Sequence, residues 1–366
     1  MANNPVQFPF LQLSEPVSQR ILKSMSLIEL FDLSLTSSRV RKQVKQRFAN
    51  NFSITISWRV NPQFRVNLPN DSYHSVGIWK FYHSRSFTRS RLTNPTTRLI
   101  NGRKVQFCKV GGIGLGCPTA DTPADEIINV FEYLVDLFNG KVSLFVFAVD
   151  EIEELLSKET GGFEKFWTFK KCKELKVWNG RVSHEEMKSI LDLGNVVEKL
   201  ELSANPDPGF VLEEEKEKPI SFKFLQVRAD NWITRDVLFS LNCQTAQFSS
   251  TALTNEDINA FLHNWMNSTD KRLQCLFIRI NSYDGYGNYI REGEELYTLE
   301  KVVHDLETIP GSPKPSILAR LMNWDEEPRC ENGVDLKRDD QVVATALVET
   351  CEPEEGGGTS FLFVVW

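Results

Sequence analysis

The chain has 366 residues, 41% of them hydrophobic and 25% charged, a composition that fits a folded protein of two or three domains and not a disordered or fibrous one. Its formal net charge of -7 argues against a protein that coats nucleic acid or anionic membrane over its whole surface. Seven cysteines, odd in number and without a C-x-x-C pair, fit reduced, mostly buried thiols in a cytoplasmic or nuclear protein.

The first residues, MANNPVQFPF, lack the basic start and apolar core of a secretory signal, so the sequons at Asn51, Asn70 and Asn267 are expected to stay unmodified. The longest apolar run, VSLFVFAV at 142–149, is far below the ~20 residues of a membrane helix, and no membrane partner is expected. Ser14 predicts the cap of a first helix with Glu15 and Pro16 in its first turn and Val17, Ile21 and Met25 on one face. Ser26 and Glu29 form an S-x-x-E capping box that opens a second helix at once. There Leu27, Ile28, Leu30, Phe31, Leu33 and Leu35 leave only Ser26, Glu29, Asp32 and Ser34 polar, so apolar side chains point in more than one direction. Thr36 or Ser37 caps a third helix with Val40, Val44 and Phe48 at i+4 spacing. Each fully buried Leu or Phe is worth roughly 1.5–3 kcal/mol, so this excess needs cover. The leading expectation is that another polypeptide supplies it; the alternative is the rest of the same chain.

The stretch FPFLQLSEPVSQRILKSMSLIELFDLSLTSSRVRKQV, residues 8–44, resembles an F-box, the three-helix motif that docks on the Skp-type adaptor of cullin-RING ubiquitin ligases. Leu13, the Ile21-Leu22 pair, MSLIEL, the Leu33-Ser34-Leu35 core and Ser37-Ser38-Arg39 before Val40 carry the likeness. Ser14 stands where the family has a proline after its first leucine, and Val40 where it often has tryptophan. The resemblance implies adaptor contact through residues among Leu13, Pro16, Ile21, Leu22, Met25, Leu30, Leu33, Leu35, Arg39 and Val40, some of which must instead form the motif's own core.

Past residue 50 the pattern turns to strands, with FSITISW at 52–58 alternating. Thr122-Pro123-Ala124-Asp125 signals a helix with Ile127, Ile128, Phe131, Leu134, Val135 and Phe138 on its apolar face. From Val142 onward, strand cores written apolar-x-apolar recur at Leu144/Val146, Leu175/Val177, Leu200/Leu202, Leu225/Val227, Ala246/Phe248 and Leu276/Ile278, in steps of 31, 25, 25, 21 and 30 residues. Capped helices fit between them at Ser183-x-x-Glu186 and Thr254-x-x-Asp257. This predicts an α/β fold in which an irregular leucine-rich-repeat-like solenoid follows the helices. Its parallel sheet is expected to show partners a row of side chains near Lys176, Glu201 and Gln226. The run EEEKEKP at 213–219 reads as a solvated loop. VDLKRDDQVVATALVE and SFLFVVW predict closing antiparallel strands around an acidic, glycine-rich loop. The expected domains are 1–50, 51–141, 142–280 and 281–366.

FLQVRADNWITRDVLFSLNCQTAQFSSTALTNEDINAFLHNWMNSTDKRLQCLFIRI, residues 224–280, is similar to the F-box associated domain of the large F-box family expanded in nematodes, most specifically in TNEDINAFLHNW at 254–265.

Motifs for bond chemistry are weak. GGIGLG at 111–116 puts Cys117 where a dinucleotide fingerprint needs its third glycine, so a turn between strand and helix is expected instead. The histidines at 74, 83, 184, 263 and 304 never stand at H-x-x-x-H spacing, and neither metal nor cofactor is expected. Lys80, Arg85, Arg89, Arg91, Arg98, Arg103, Lys104 and Lys109, interleaved with Phe81, Tyr82 and Phe87, occur with no acid between Asp71 and Asp121. They read as a solvated face first, a patch for an acidic partner second, and a nucleic-acid contact last. The resemblance implies a non-catalytic substrate-recognition subunit of an SCF-type ubiquitin ligase, bound to a Skp-type adaptor, through it to cullin, and to an unnamed target protein. The alternative is a repeat scaffold or nucleic-acid-binding protein that uses residues 80–109.

Overall fold

Local caps set the first three helices. Helix α1 spans Glu15–Ser24, with Pro16 in its first turn. In α2, Leu27–Ser34, the Glu29 N–H donates to Ser26 Oγ at 3.3 Å and the Ser26 N–H donates back to Glu29 Oε2 at 2.7 Å. The bond from the Ser26 N–H, and after it one donated by the Ser26 hydroxyl to Glu29 Oε2 at 2.9 Å, hold the Glu29 carboxyl below its ordinary value. Helix α3, Ser38–Arg47, starts where Ser37 Oγ accepts the Val40 N–H at 3.2 Å. The computed structural model describes residues 10–47, 52–59, 61–68, 75–82, 95–111, 113–118, 124–138, 141–149, 172–212, 219–228, 232–249, 253–269, 271–280, 297–311, 332–350 and 359–366. Two units emerge, Met1–Lys173 and Glu174–Trp366.

In the first unit the helices precede a mixed sheet of β1 (Ser53–Trp58), β2 (Gln63–Asn67), β3 (Ser75–Tyr82), β4 (Thr96–Ile100), β5 (Arg103–Val110), β6 (Gly114–Pro118) and, after α4 (Ala124–Phe138), β7 (Lys141–Ala148). The spatial order is β7-β1-β2-β3-β6-β5-β4, with β1/β7 and β3/β6 parallel and the other pairs antiparallel. Alternation sends Ile54, Ile56 and Trp58 of β1 into the core and Ser53, Thr55 and Ser57 to the other face. The core is aromatic: Trp58 and Phe81 meet Phe131 of α4 edge-on at 5.8 and 5.4 Å, and Trp79 meets Phe138 at 5.5 Å.

This core also receives α2. Phe31 is fully buried and packs edge-on at 5.8–5.9 Å against Trp79, Phe107 and Tyr133. One turn on, Ser34 Oγ and Tyr133 Oη are 2.8 Å apart. One turn back, Leu27 lies so close to β3 that a Cβ on Gly77 would stand 2.9 Å from Leu27 Cδ1 and 3.1 Å from the Trp79 ring. The expectation that another polypeptide must cover the apolar excess is therefore corrected for this face: strands β3 and β5 and helix α4 of the same chain seal it. Sequence pattern could not choose, because the seal comes from residues 48 to 102 positions away.

The glycine-rich run is a strand-to-strand turn, not the strand-to-helix turn expected. Gly111 turns out of β5 with φ +65°, and Gly114 lies in β6 where a Cβ would meet the Val110 carbonyl oxygen at 2.6 Å. Close backbone approach explains that glycine without a bound phosphate.

In the second unit β8 (Glu174–Trp178), β10 (Lys199–Leu202), β12 (Phe224–Val227), β13 (Thr245–Ser249) and β14 (Cys275–Ile280) lie parallel in chain order. Five of the six apolar-x-apolar cores are thus consecutive parallel strands; the first, Leu144/Val146, is β7 beside β1 in the first unit. Helix α5 (His184–Leu191) follows β8, α6 (Arg235–Phe239) follows β12 and α7 (Asn255–Asn267) follows β13. After β10 the described chain instead makes a two-residue strand, β11 (Asn205–Pro206), parallel to β9 (Arg181–Val182). Beyond α8 (Leu299–Val302), β15 (Ile309–Pro310), β16 (Val334–Lys337), β17 (Val343–Thr350) and β18 (Thr359–Val365) continue the sheet antiparallel, with β18 between β14 and β17. Phe363 sits edge-on against Phe261 and Trp265 of α7 at 5.7 and 5.0 Å. The Trp366 indole N–H donates to Thr345 Oγ1 at 2.8 Å. Residues 213–218 of the acidic run and 351–358 of the glycine-rich loop lie outside the described residues.

Candidate functional site

The N-terminal residues separate into three groups. Leu22, Leu30 and Val40 are buried and belong to the unit's core. Leu13, Ile21, Met25, Leu33 and Leu35 are half-buried, while Pro16 and Arg39 are exposed. Val17, 44% exposed, extends the half-open strip along α1 through Ile21 to Met25 at i+4 steps. At the end of α2 a groove of ≈ 400 Å³ opens against β4, lined by Asp32, Leu35, Thr97, Arg98 and Leu99 among others.

The basic stretch does not converge among the described residues. Arg98 grips Asp32 of α2 through two bonds, one of 3.0 Å from Nη2, and lies 5.3 Å from the Phe107 ring; its side chain is 11% exposed, so it serves packing. Lys80 is half-buried on β3, whereas Arg103, Lys104 and Lys109 are exposed on β5. Arg85, Arg89 and Arg91 lie outside the described residues, as does Phe87. A second anchor ties α3 to α4: Asp136 accepts from Arg41 at 2.7 Å and from Lys45. Burial pushes the Asp136 carboxyl up, but the Lys45 bond and the charges of Lys45 and Arg41 outweigh it and hold the group below its ordinary value.

In the second unit, strand register assembles a charged ladder. Lys176 pairs with Glu201 across β8 and β10, Glu201 with Gln226 across β10 and β12, and Gln226 with Gln247 across β12 and β13. The row below runs Glu174, Lys199, Phe224. Leu175, Val177, Leu200, Leu202, Leu225 and Val227 are buried on the opposite face of the same strands. Lys176 Nζ lies 2.7 Å from Glu201 and 3.4 Å from Glu174; Arg228 Nη2 reaches Glu201 at 3.3 Å, and Lys199 reaches Glu174 at 3.2 Å. The Glu201 side chain is only 5% exposed and is held by two cations. Burial pulls the Lys176 ammonium down, but the bond to Glu201 and the charges of Glu201 and Glu174 more than reverse this, so it holds its proton above the usual lysine range. Lys199 stands 4.9 Å over the Phe224 ring and Lys176 6.0 Å from that of Trp178. Sequence reading picked out Lys176, Glu201 and Gln226 but not Lys199 or Arg228. The available signal was the x of each core and its polar neighbours, one repeat apart.

Past the C-terminal ends of these strands a cavity of ≈ 310 Å³ is lined by Arg181, Asn205, Asp207, Phe210 and Trp232 among others. Phe210 meets His184 at 5.5 Å and Trp232 at 5.7 Å. Among the described residues no three His, Cys, Asp or Glu side chains are grouped to hold a metal, and no helix is long and apolar enough to cross a membrane. The cysteines at 108, 117, 172, 243 and 275 are buried thiols outside any disulfide; burial pushes the Cys243 thiol up to about 11, away from thiolate chemistry.

The polar residues of the 254–265 segment explain that segment's composition. Thr254 and Asp257 cap α7 reciprocally, and Arg235 of α6 donates to Asp257 at 2.9 Å. Asn255 Oδ1 accepts the Thr298 N–H at 3.1 Å, and Asn259 Nδ2 donates to the carbonyls of Val302 and His304 at 3.0 and 2.9 Å. These side chains join α6, α7 and α8. Residues 217–278 match the F-box associated family. The matched span holds β12, α6, β13, α7 and the first four residues of β14, and does not extend to the N-terminal helices.

Three relatives from Caenorhabditis elegans are each 22% identical to this chain. The Skn-1 dependent zygotic transcript 15 protein aligns over 295 residues, 76% of this chain and 81% of that protein. The E3 ubiquitin-protein ligase hecw-1 aligns over 333 residues, 82% of this chain but 24% of that protein. Uncharacterized protein F59B2.9 aligns over 377 residues, 99% of this chain and 79% of that protein. No solved structure matches.

Proposed function

We propose that this protein is the substrate-recognition subunit of an SCF-type ubiquitin ligase, a non-catalytic part that works by proximity. The observation that carries this reading is the match of residues 217–278 to the F-box associated family. The half-open strip of Ile21, Met25, Leu33 and Leu35 supports it from the other end of the chain. In this reading the N-terminal helices attach to a Skp-type adaptor, and through it to cullin. The parallel strands of the second unit act as an irregular repeat-like solenoid that holds a target protein. Other subunits transfer ubiquitin, and a held target meets them at raised effective concentration. The site of action is the cytoplasm or nucleus.

The test is co-purification of the full chain with a Skp-type adaptor. The wild type is expected to retain it, and Ile21→Asp with Leu33→Asp, both at half-open positions, to release it at least ~10-fold more readily, because two charges replace roughly 1 kcal/mol of apolar contact each. A soluble wild-type chain that does not retain the adaptor removes the reading.

A further inference from the structure

We propose that the ladder on β8, β10 and β12 docks an acidic segment of the target polypeptide. The inference deepens the ligase reading, since it takes the second unit as the target-binding part. Its basis is the layering of charge. Three cations, Lys176, Lys199 and Arg228, share two carboxylates, Glu174 and Glu201. The carboxylates lie beneath, with side chains 26% and 5% exposed, whereas Lys199 and Arg228 stand outward at 38% and 54%. A face of a chain with net charge -7 thus presents positive charge to solvent.

Among the described residues the outer cations have donors to spare. Arg228 gives one Nη2 contact to Glu201 at 3.3 Å, and a guanidinium carries five N–H donors arranged to take a carboxylate two at a time. Lys199 gives one contact to Glu174 at 3.2 Å and lies over Phe224, and an ammonium has three donors. Phe224 and Trp178, both half-buried, supply ring surface beside the cations. Two outward cations, one of them over the Phe224 ring, match separate carboxylates with apolar neighbours on a polypeptide. The continuous phosphate ladder of a nucleic acid draws its affinity from more numerous cations with no fixed acids among them.

The test uses the full chain and a short fluorescein-labelled peptide of alternating glutamate and leucine, measured by anisotropy. The alternating lysine–leucine peptide and oligo-dT of equal length serve as comparisons. Arg228→Gln is expected to weaken the acidic peptide about 5- to 10-fold and Lys199→Gln about 3-fold, as lost charge-assisted contacts do. Both positions are exposed enough to change without loss of the fold, which circular dichroism verifies. Neither variant is expected to alter adaptor co-purification. Equal binding by the double variant, tighter binding of oligo-dT, or no binding of the acidic peptide overturns the inference. Adaptor binding without acidic-peptide binding removes this inference alone. Acidic-peptide binding without adaptor binding removes the ligase reading and leaves the surface assignment standing.

Discussion

Helix α2 of the first unit and strand β10 of the second both bury apolar side chains, yet they use their remaining polar and half-open sides differently. On α2 the sealed side meets an aromatic layer in which Phe31 touches three rings, and the other side keeps Leu33 half-buried. On β10, Leu200 and Leu202 fill the core while the alternate residues, Lys199 and Glu201, enter a shared ion-pair ladder. The helix hides an apolar excess inside its own unit. The strand sets its charges in pairs whose outer members still face solvent. Burial depth therefore separates scaffold from candidate contact surface in both units, and polarity by itself does not.

Substitutions sharpen this contrast. Phe31→Ala is expected to cost about 4 kcal/mol, read from the urea midpoint, whereas Leu33→Ala on the half-open side costs under about 1.5 kcal/mol. Equal losses would mean that the two sides of α2 are not distinct. Gly194→Ala follows at about 3 kcal/mol, since its Cβ would stand 1.8 Å from the Ser221 carbonyl oxygen, which backbone cannot yield cheaply. Gly77→Val is expected to cost about 2 kcal/mol by forcing α2 off β3.

Glu201→Gln costs about 2 kcal/mol by leaving Lys176 and Arg228 short of a charged acceptor. The Lys176 value is raised in the fold, so its contribution is complete below the unfolded lysine value of 10.5 and is lost as pH climbs through the folded one. Chemical denaturation above about pH 10.5 should show this alkaline slope in the wild type and a flatter one in Glu201→Gln. The smallest effect, about 1 kcal/mol, belongs to Asp136→Asn. Its folded value is depressed, so the Asp136 contribution is present above the ordinary value of 3.8 and fades as pH falls through the folded one. The variant should lose that acid slope and leave the alkaline one untouched.

The capping boxes at Ser26, Ser183 and Thr254 were legible because each is closed by a residue three positions away. The repeat cores were legible because alternation marks a strand locally. Arg98 was misplaced among solvated cations because its partner, Asp32, lies 66 residues upstream on a helix. Lys199 and Arg228 went unnoticed because sharing carboxylates with Lys176 depends on register between strands a repeat apart. The F-box associated stretch was readable in Thr254, Asn255, Asp257 and Asn259, yet that they bind α7 to its neighbours emerges only from the fold.

By itself the sequence determined the caps, the helix and strand periods, and the α/β order of elements, since each depends on residues within a turn or two. Tertiary structure decided which side of α2 is sealed and where cations gather on the second unit. Those outcomes are set by packing and strand register between distant segments, which no local pattern encodes.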